Sequence, residues 1–190
     1  MDFNFELENE CVKLRPVRRS DFDAFENLTN DQSMWNYFTS DLSDKDVLIT
    51  WVDEAVDQLK AKKRLALTLI EKKQNRIIGS TSLGNISERD KRIEIGWTWI
   101  GREFQGKGFN DEVKYLLLKY CFEELCFERV ELKTDVLNTY ARQAMLRIGL
   151  KEEGILRSHT LMTHGRRRDT IYYRLLKDEW EQLKKQINSR

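Results

Sequence analysis

Residues 92–125, RIEIGWTWIGREFQGKGFNDEVKYLLLKYCFEEL, constrain the fold more than any other stretch. Residues 92–100 alternate with the period of a strand, and residues 111–125 place Val113, Leu116, Leu117, Tyr120, Cys121 and Leu125 at helical spacing. Between them, residues 101–110 hold Gly101, Gly106 and Gly108 together with Arg102 and Lys107. Small residues leave backbone N–H groups bare. At the N-terminus of a helix those groups point outward and the helix dipole favours an anion, so the unit suits a pyrophosphate.

The loop almost spells the nucleoside-triphosphate motif GxxxxGK[ST], with Gly101, Gly106 and Lys107 in register. Gly108 stands where that motif needs a hydroxyl for magnesium. A P-loop fold also requires a later apolar strand ending in an acidic metal ligand, whereas the strand that carries Asp135 alternates. An ATP site is therefore set aside. A glycine-rich turn without a ligand is the alternative that the short motif alone leaves open.

The flanking sequence supplies strands and helices in a fixed order. Residues 12–18, 64–71, 76–86, 92–100 and 129–137 read as strands, and 152–162 with 167–176 as a hairpin around THGRR. Helices are expected over 20–31, capped by Ser20 or Asp21, and over 43–62, with Val47, Ile49, Trp51, Val52, Ala55, Val56 and Leu59 on the apolar side. A short helix at 139–148 ends on Gly149, and another surrounds KDEWEQLKKQI. With 190 residues and no repeat or linker, the expectation is one domain over 1–190.

Composition excludes several classes. Basic and acidic residues number 33 and 32, so no whole-molecule field attracts nucleic acid. No apolar run approaches a membrane span, and the acidic start MDFNFELENE is unlike a signal peptide, which makes a cytoplasmic address the expectation. Cys11, Cys121 and Cys126 lack zinc or disulfide spacing, and His159 and His164 match no helical metal motif, so no metal is expected. Arg166, Arg167 and Arg168 read as a solvated turn or as a contact for an acidic acceptor.

QGKGFN (105–110) resembles the [QR]xxGx[GA] pyrophosphate loop of the GNAT N-acetyltransferases. LNTYARQAMLRIGL (137–150) supplies the Asn, Ala, Arg and Gly of that family's next strand–helix unit as Asn138, Ala141, Arg147 and Gly149. EIGWTWIG, EEGILRSH and GRRRDTIYYRLLKDEW are similar to the branch containing the ribosomal-protein N-terminal acetyltransferases RimJ and RimL. The resemblance covers nearly the whole chain. It implies an α/β (α+β) fold with a mixed, mostly antiparallel seven-stranded sheet, a splayed parallel central pair and flanking helices.

It also implies acetyl-CoA as cosubstrate. Backbone groups of Thr98, Trp99 and Ile100 would meet the pantetheine amides, and those of Gln105, Gly106, Lys107, Gly108, Phe109 and Asn110 the pyrophosphate, with Lys107 and Arg102 adding positive charge. Asn138 is either a cofactor contact or simply a helix cap. Two departures stand out in the loop and helix: Asn110 where the family has Gly or Ala, and Leu150 where it has an aromatic. Met145 and Ala141 replace the Tyr and Ser that some members use to protonate the leaving thiolate, and Met145 reads as core packing.

Glu94 is the remaining catalytic candidate, similar to a family glutamate that takes the proton of the attacking amine. Simple alternation puts Glu94, Gly96 and Thr98 on one face and Ile93, Ile95, Trp97 and Trp99 on the other. Its competing reading is an ion pair with Arg92, Arg129 or Lys133. Trp35, Tyr37 and Phe38 either wall the acceptor site or form a local apolar cluster. The acceptor implied is a primary amine, a peptide N-terminus or a small molecule such as a polyamine or amine antibiotic, for a monomer or homodimer. A non-catalytic acyl-CoA-binding regulator is the alternative from another class.

Overall fold

The computed structural model describes residues 5–188, leaving aside the side chains of His164 and of residues 186–188. Eight strands form one sheet in the order β1-β2-β3-β4-β5-β6-β8-β7: β1 Leu7–Glu8, β2 Val12–Pro16, β3 Leu65–Glu71, β4 Arg76–Ser87, β5 Arg92–Ile100, β6 Arg129–Asp135, β7 Lys151–Leu161 and β8 Arg167–Leu176. The mixed sheet matches the expectation with one strand more than seven. The extra strand is β1, whose two residues are too few to show a period. Every neighbouring pair is antiparallel except β5 and β6. That parallel pair follows from the chain path, because a loop and helix α3 (Phe109–Lys119) carry β5 over to β6.

Helices cover both faces. α1 (Phe22–Thr29) and α2 (Lys45–Lys60) pack Phe25 and Trp51 edge-on against Trp99, with ring centroids 5.1 and 6.2 Å away. α3 lies on the opposite face with Val113, Leu117 and Leu118 buried. It ends in a π-turn, Tyr120–Glu124, that the sequence pattern does not reveal, and begins at Phe109 rather than 111. α4 (Thr139–Arg147) is closed by Gly149 at φ +88°. α5 (Lys177–Asn188) seats Trp180 against Tyr115 and Phe122.

Two helix expectations change. In α2 the buried stripe is Leu48, Trp51, Val52 and Ala55, while Val47 and Ile49 are 36% and 41% exposed. The i, i+3, i+4, i+7 spacing starts at Leu48, which places its two neighbours toward water. Asp44 caps this helix by accepting from the N–H groups of Asp46 and Val47.

Asp21 precedes α1 but does not cap it. Its carboxylate instead accepts from Arg15 at 2.6 and 2.8 Å, Thr68 Oγ1 at 2.7 Å and the Arg18 N–H at 3.0 Å. Burial opposes ionisation of Asp21, but these bonds outweigh it and hold the carboxyl below its ordinary range. The cluster ties β2, β3 and the entry to α1 together. Removing one member of a buried pair strands the other charge, so Asp21→Ala should lower stability by about 3–5 kcal/mol in urea unfolding. A loss under about 1 kcal/mol would mean that the pair behaves as an exposed one.

Candidate active site

β5 and β6 pair only over Arg92–Glu94 and Arg129–Glu131; beyond Glu94 the two strands have no shared register. A gap therefore opens at Glu94, flanked by the unpaired edges of residues 95–100 and 132–135. A bulge lies on the other side of β5. Ser82 pairs with Gly96 but Ser80 pairs with Trp99, so β5 carries an extra residue there, and Trp97 takes a left-handed φ of +52°. This is a β-bulge at a residue type that rarely adopts such a φ.

The bulge overturns the simple alternation of faces. Pairing keeps Glu94, Gly96 and Trp99 on the face of Gly84, Ser82 and Ser80, toward α1 and α2. Thr98 is turned to the opposite face, where its hydroxyl lies 2.7 Å from Thr81 Oγ1 and accepts from Lys114 Nζ of α3 at 2.6 Å. The Trp97 ring occupies the space beside Gly84, with the Arg64 guanidinium 5.3 Å from its centroid. Trp99 is a core residue whose backbone pairs with Ser80 of β4.

The loop after β5 leads into α3. Gly106 and Gly108 have φ of +72° and +86°, with open space where a Cβ would stand. The N–H groups of residues 106–110 have no acceptor among the described residues, while those of Asp111 and Glu112 turn back to the Gly108 carbonyl. A row of bare amides thus opens at a helix N-terminus, the arrangement that binds phosphate. Gln105 folds inward to donate to the Ile100 carbonyl at 2.8 Å, joining the loop to β5. Phe109 packs on Phe104, and Lys107 lies over the Phe104 ring. Arg102, which precedes the loop, is held by Asp31 at 2.7 Å and by Ser33.

Glu94 is 3% exposed at the apex of the gap. Its Oε2 accepts from Lys133 Nζ at 2.9 Å and Asn85 Nδ2 at 2.7 Å, so the Lys133 pairing is the ion pair that forms. Oε1 lies over Gly96 and has no donor among the described residues. The carboxylate is therefore anchored by one oxygen, leaving the other able to accept a proton. A cavity of about 340 Å³ reaches it past Asn85, Lys133 and Tyr172.

Asn138 caps α4, its Oδ1 accepting from the Ala141 N–H at 3.0 Å. Met145 packs against the core, and Ala141 offers no donor, so neither supplies a proton. A larger cavity of about 680 Å³ is lined by Trp35, Tyr37, Asp41, Leu137, Thr163 and Arg166. The aromatic segment forms the local apolar cluster, with Trp35 buried against Phe38 and Trp99, while Tyr37 lines this cavity. Arg166 pairs with buried Asp135, while Arg168 is buried near Thr170 rather than solvated. His159 bonds Thr170 and meets the Tyr172 ring; the His164 side chain lies outside the described residues.

The residue that pattern reading missed is Lys114. It is 5% exposed, and Thr98 is its hydrogen-bond partner among the described residues. Its spacing, three and four residues before Leu117 and Leu118, is the signal that places it on the buried stripe. Desolvation pushes its amine down to about 7, partly offset by the negative charge of Glu94.

Sheet order, the β5–β6 gap and the amide row together define the acetyltransferase architecture. A GCN5-related N-acetyltransferase from Brucella melitensis superposes with a TM-score of 0.89, covering 98% of this chain and 85% of that one at 24% identity. The sequence is 41% identical over 105 residues to a Bacillus subtilis protein named "Putative ribosomal N-acetyltransferase YdaF", which is 55% of this chain and 56% of that protein. The aligned part thus spans little more than half of that relative. It is also 27% identical over 178 residues to the "Uncharacterized N-acetyltransferase p20" of Bacillus licheniformis, covering 92% and 97%. The model of the acetyltransferase (GNAT) domain matches residues 12–151, and the chain belongs to that family.

Lys114 gives the fold a measurable pH dependence. Because its folded-state pKa lies near 7 and an unfolded lysine titrates near 10.4, the unfolded chain holds the extra proton between about those values. Stability from this group is lowest below pH 7 and rises with pH across the window, by up to about 1.4 kcal/mol per unit. Lys114→Met lacks that slope. Its melting curve should lie above the parent's near pH 6 and converge with it towards about pH 10. Parallel melting temperatures across the range would contradict the assignment.

Proposed function

We propose that this chain is an acetyl-CoA-dependent N-acetyltransferase whose acceptor is a primary amine, with a protein N-terminal α-amine as the favoured class. The observation that carries this reading is a continuous track: the gap opening at Glu94, the unpaired edge of β5, and the bare amides of residues 106–110. Pantetheine would lie along Thr98, Trp99 and Ile100, and the pyrophosphate over Gly106 to Asn110. Asn138, half-buried with its Oδ1 on the cap, retains an amide nitrogen for the cofactor.

The acceptor amine attacks the thioester carbonyl, forming the new C–N bond, and the C–S bond breaks to release the thiolate. Glu94 Oε1 takes the amine's proton, directly or through water, while Lys133 and Asn85 hold its other oxygen. A backbone N–H near Thr98 or Trp99 meets the charge that builds on the carbonyl oxygen. A thiol with a pKa of about 8.5 leaves as a fair thiolate near neutrality, which suits a site without a Tyr at 145 or a Ser at 141.

With one carboxylate as base, acceptor basicity decides which amine reacts. A peptide α-amine at about 7.7–8.0 is neutral in roughly one molecule in ten at pH 7, and a lysine near 10.4 in fewer than about one in a thousand. The similarity to a protein named as a ribosomal N-acetyltransferase supports the same choice. In a competition assay, a peptide with a free N-terminus should be acetylated ahead of the same peptide blocked there and carrying an internal lysine. Glu94→Gln should lower turnover about 100-fold at neutral pH, with the deficit shrinking as pH rises. Preference for the lysine peptide, or full activity in the folded Gln variant, would overturn these roles. Acetyl-CoA binding without turnover on any amine would favour a regulator instead.

A further inference from the structure

Lys114 is a buried cation held at a position where it weakens the fold near neutrality. No carboxylate forms an ion pair with it among the described residues; its contact is the Thr98 hydroxyl at 2.6 Å, leaving the ammonium's other donors unused. Glu94 of β5 is the charged group whose field reaches it, and Thr81 of β4 completes the polar surroundings through Thr98. A residue serving only to fill space would be better replaced by an apolar one.

The contact falls on the bulge. Trp97 at φ +52° is a strained position that persists only if both flanks are held. On the α2 face the Trp97 ring is trapped between Gly84 and Arg64. On the α3 face the holder is the chain Lys114 Nζ, Thr98 Oγ1, Thr81 Oγ1, with both hydroxyls 3.4 Å from the Gly96 carbonyl. An ammonium can only donate, so it makes Thr98 an acceptor and commits that hydroxyl's own proton to Thr81 or Gly96. Resting on the acetyl-CoA reading above, we infer that Lys114 is a positioning residue: through Thr98 it fixes the β5 bulge, and so the edge that lines the cofactor gap.

The inference is tested with Lys114→Met, Thr98→Val and the double variant, measuring melting temperature, KM for acetyl-CoA, kcat and acetyl-CoA affinity by calorimetry. In Lys114→Met, KM should rise about tenfold, more than kcat falls, while the melting temperature at pH 7 is unchanged or higher. The double variant should be no worse than either single, since both break one chain. Affinity of the parent should weaken as pH rises through neutrality and Lys114 loses its proton, a trend absent from Lys114→Met. Unchanged KM, additive effects, or a KM rise accompanied by a lower melting temperature would overturn the inference. Loss of acetyl-CoA binding in the parent itself would instead remove the functional reading on which it rests.

Discussion

The bulge at Trp97 controls the geometry of the site, because one extra residue in β5 does three things at once. It turns Thr98 away from Glu94 and down onto α3, and it swings Trp99 into the aromatic core with Phe25, Trp35 and Trp51. It also accompanies the parting of β5 from β6, whose shared register ends at Glu94 and Glu131. An unpaired strand edge inside a sheet would normally leave backbone groups unsatisfied. Here that edge continues into a loop with bare amides, so the unmet hydrogen-bonding capacity of strand and loop forms one path.

Glu94 and Lys114, two titratable groups beside the bulge, are set apart by the sheet. Glu94 faces α1 and α2, anchored by Lys133 and Asn85 through a single oxygen. Lys114 approaches from α3 and meets Thr98 alone. One carboxylate is thus paired yet open to a substrate, while one ammonium is enclosed and unpaired. The first arrangement suits proton transfer, and the second suits holding backbone in place.

Much of this organisation was legible in the sequence. Alternation marks β6, apolar runs between polar turns mark β3 and β4, and the glycines of 105–110 followed by an amphipathic helix mark the loop, because these are properties of residue type. The two faces of β5 were not, since a left-handed Trp97 has no compositional signal and one inserted residue inverts every later position. Asp21 looked like a helix cap for a similar reason: local sequence cannot show that Arg15 and Thr68 claim its carboxylate. Lys114 was within reach, because its spacing to Leu117 and Leu118 puts it on the buried stripe; a charged residue among apolar ones is easily taken for solvated.

The central claim is that the edge of β5 and the amides of 106–110 form one acetyl-CoA track. Amide hydrogen exchange with and without saturating acetyl-CoA measures it directly. The account predicts slowing by about tenfold or more in both 98–100 and 106–110, with little change in β7. Acetyl-CoA binding that leaves both segments exchanging at their original rates, or that protects the Trp35–Tyr37 cavity instead, would contradict it.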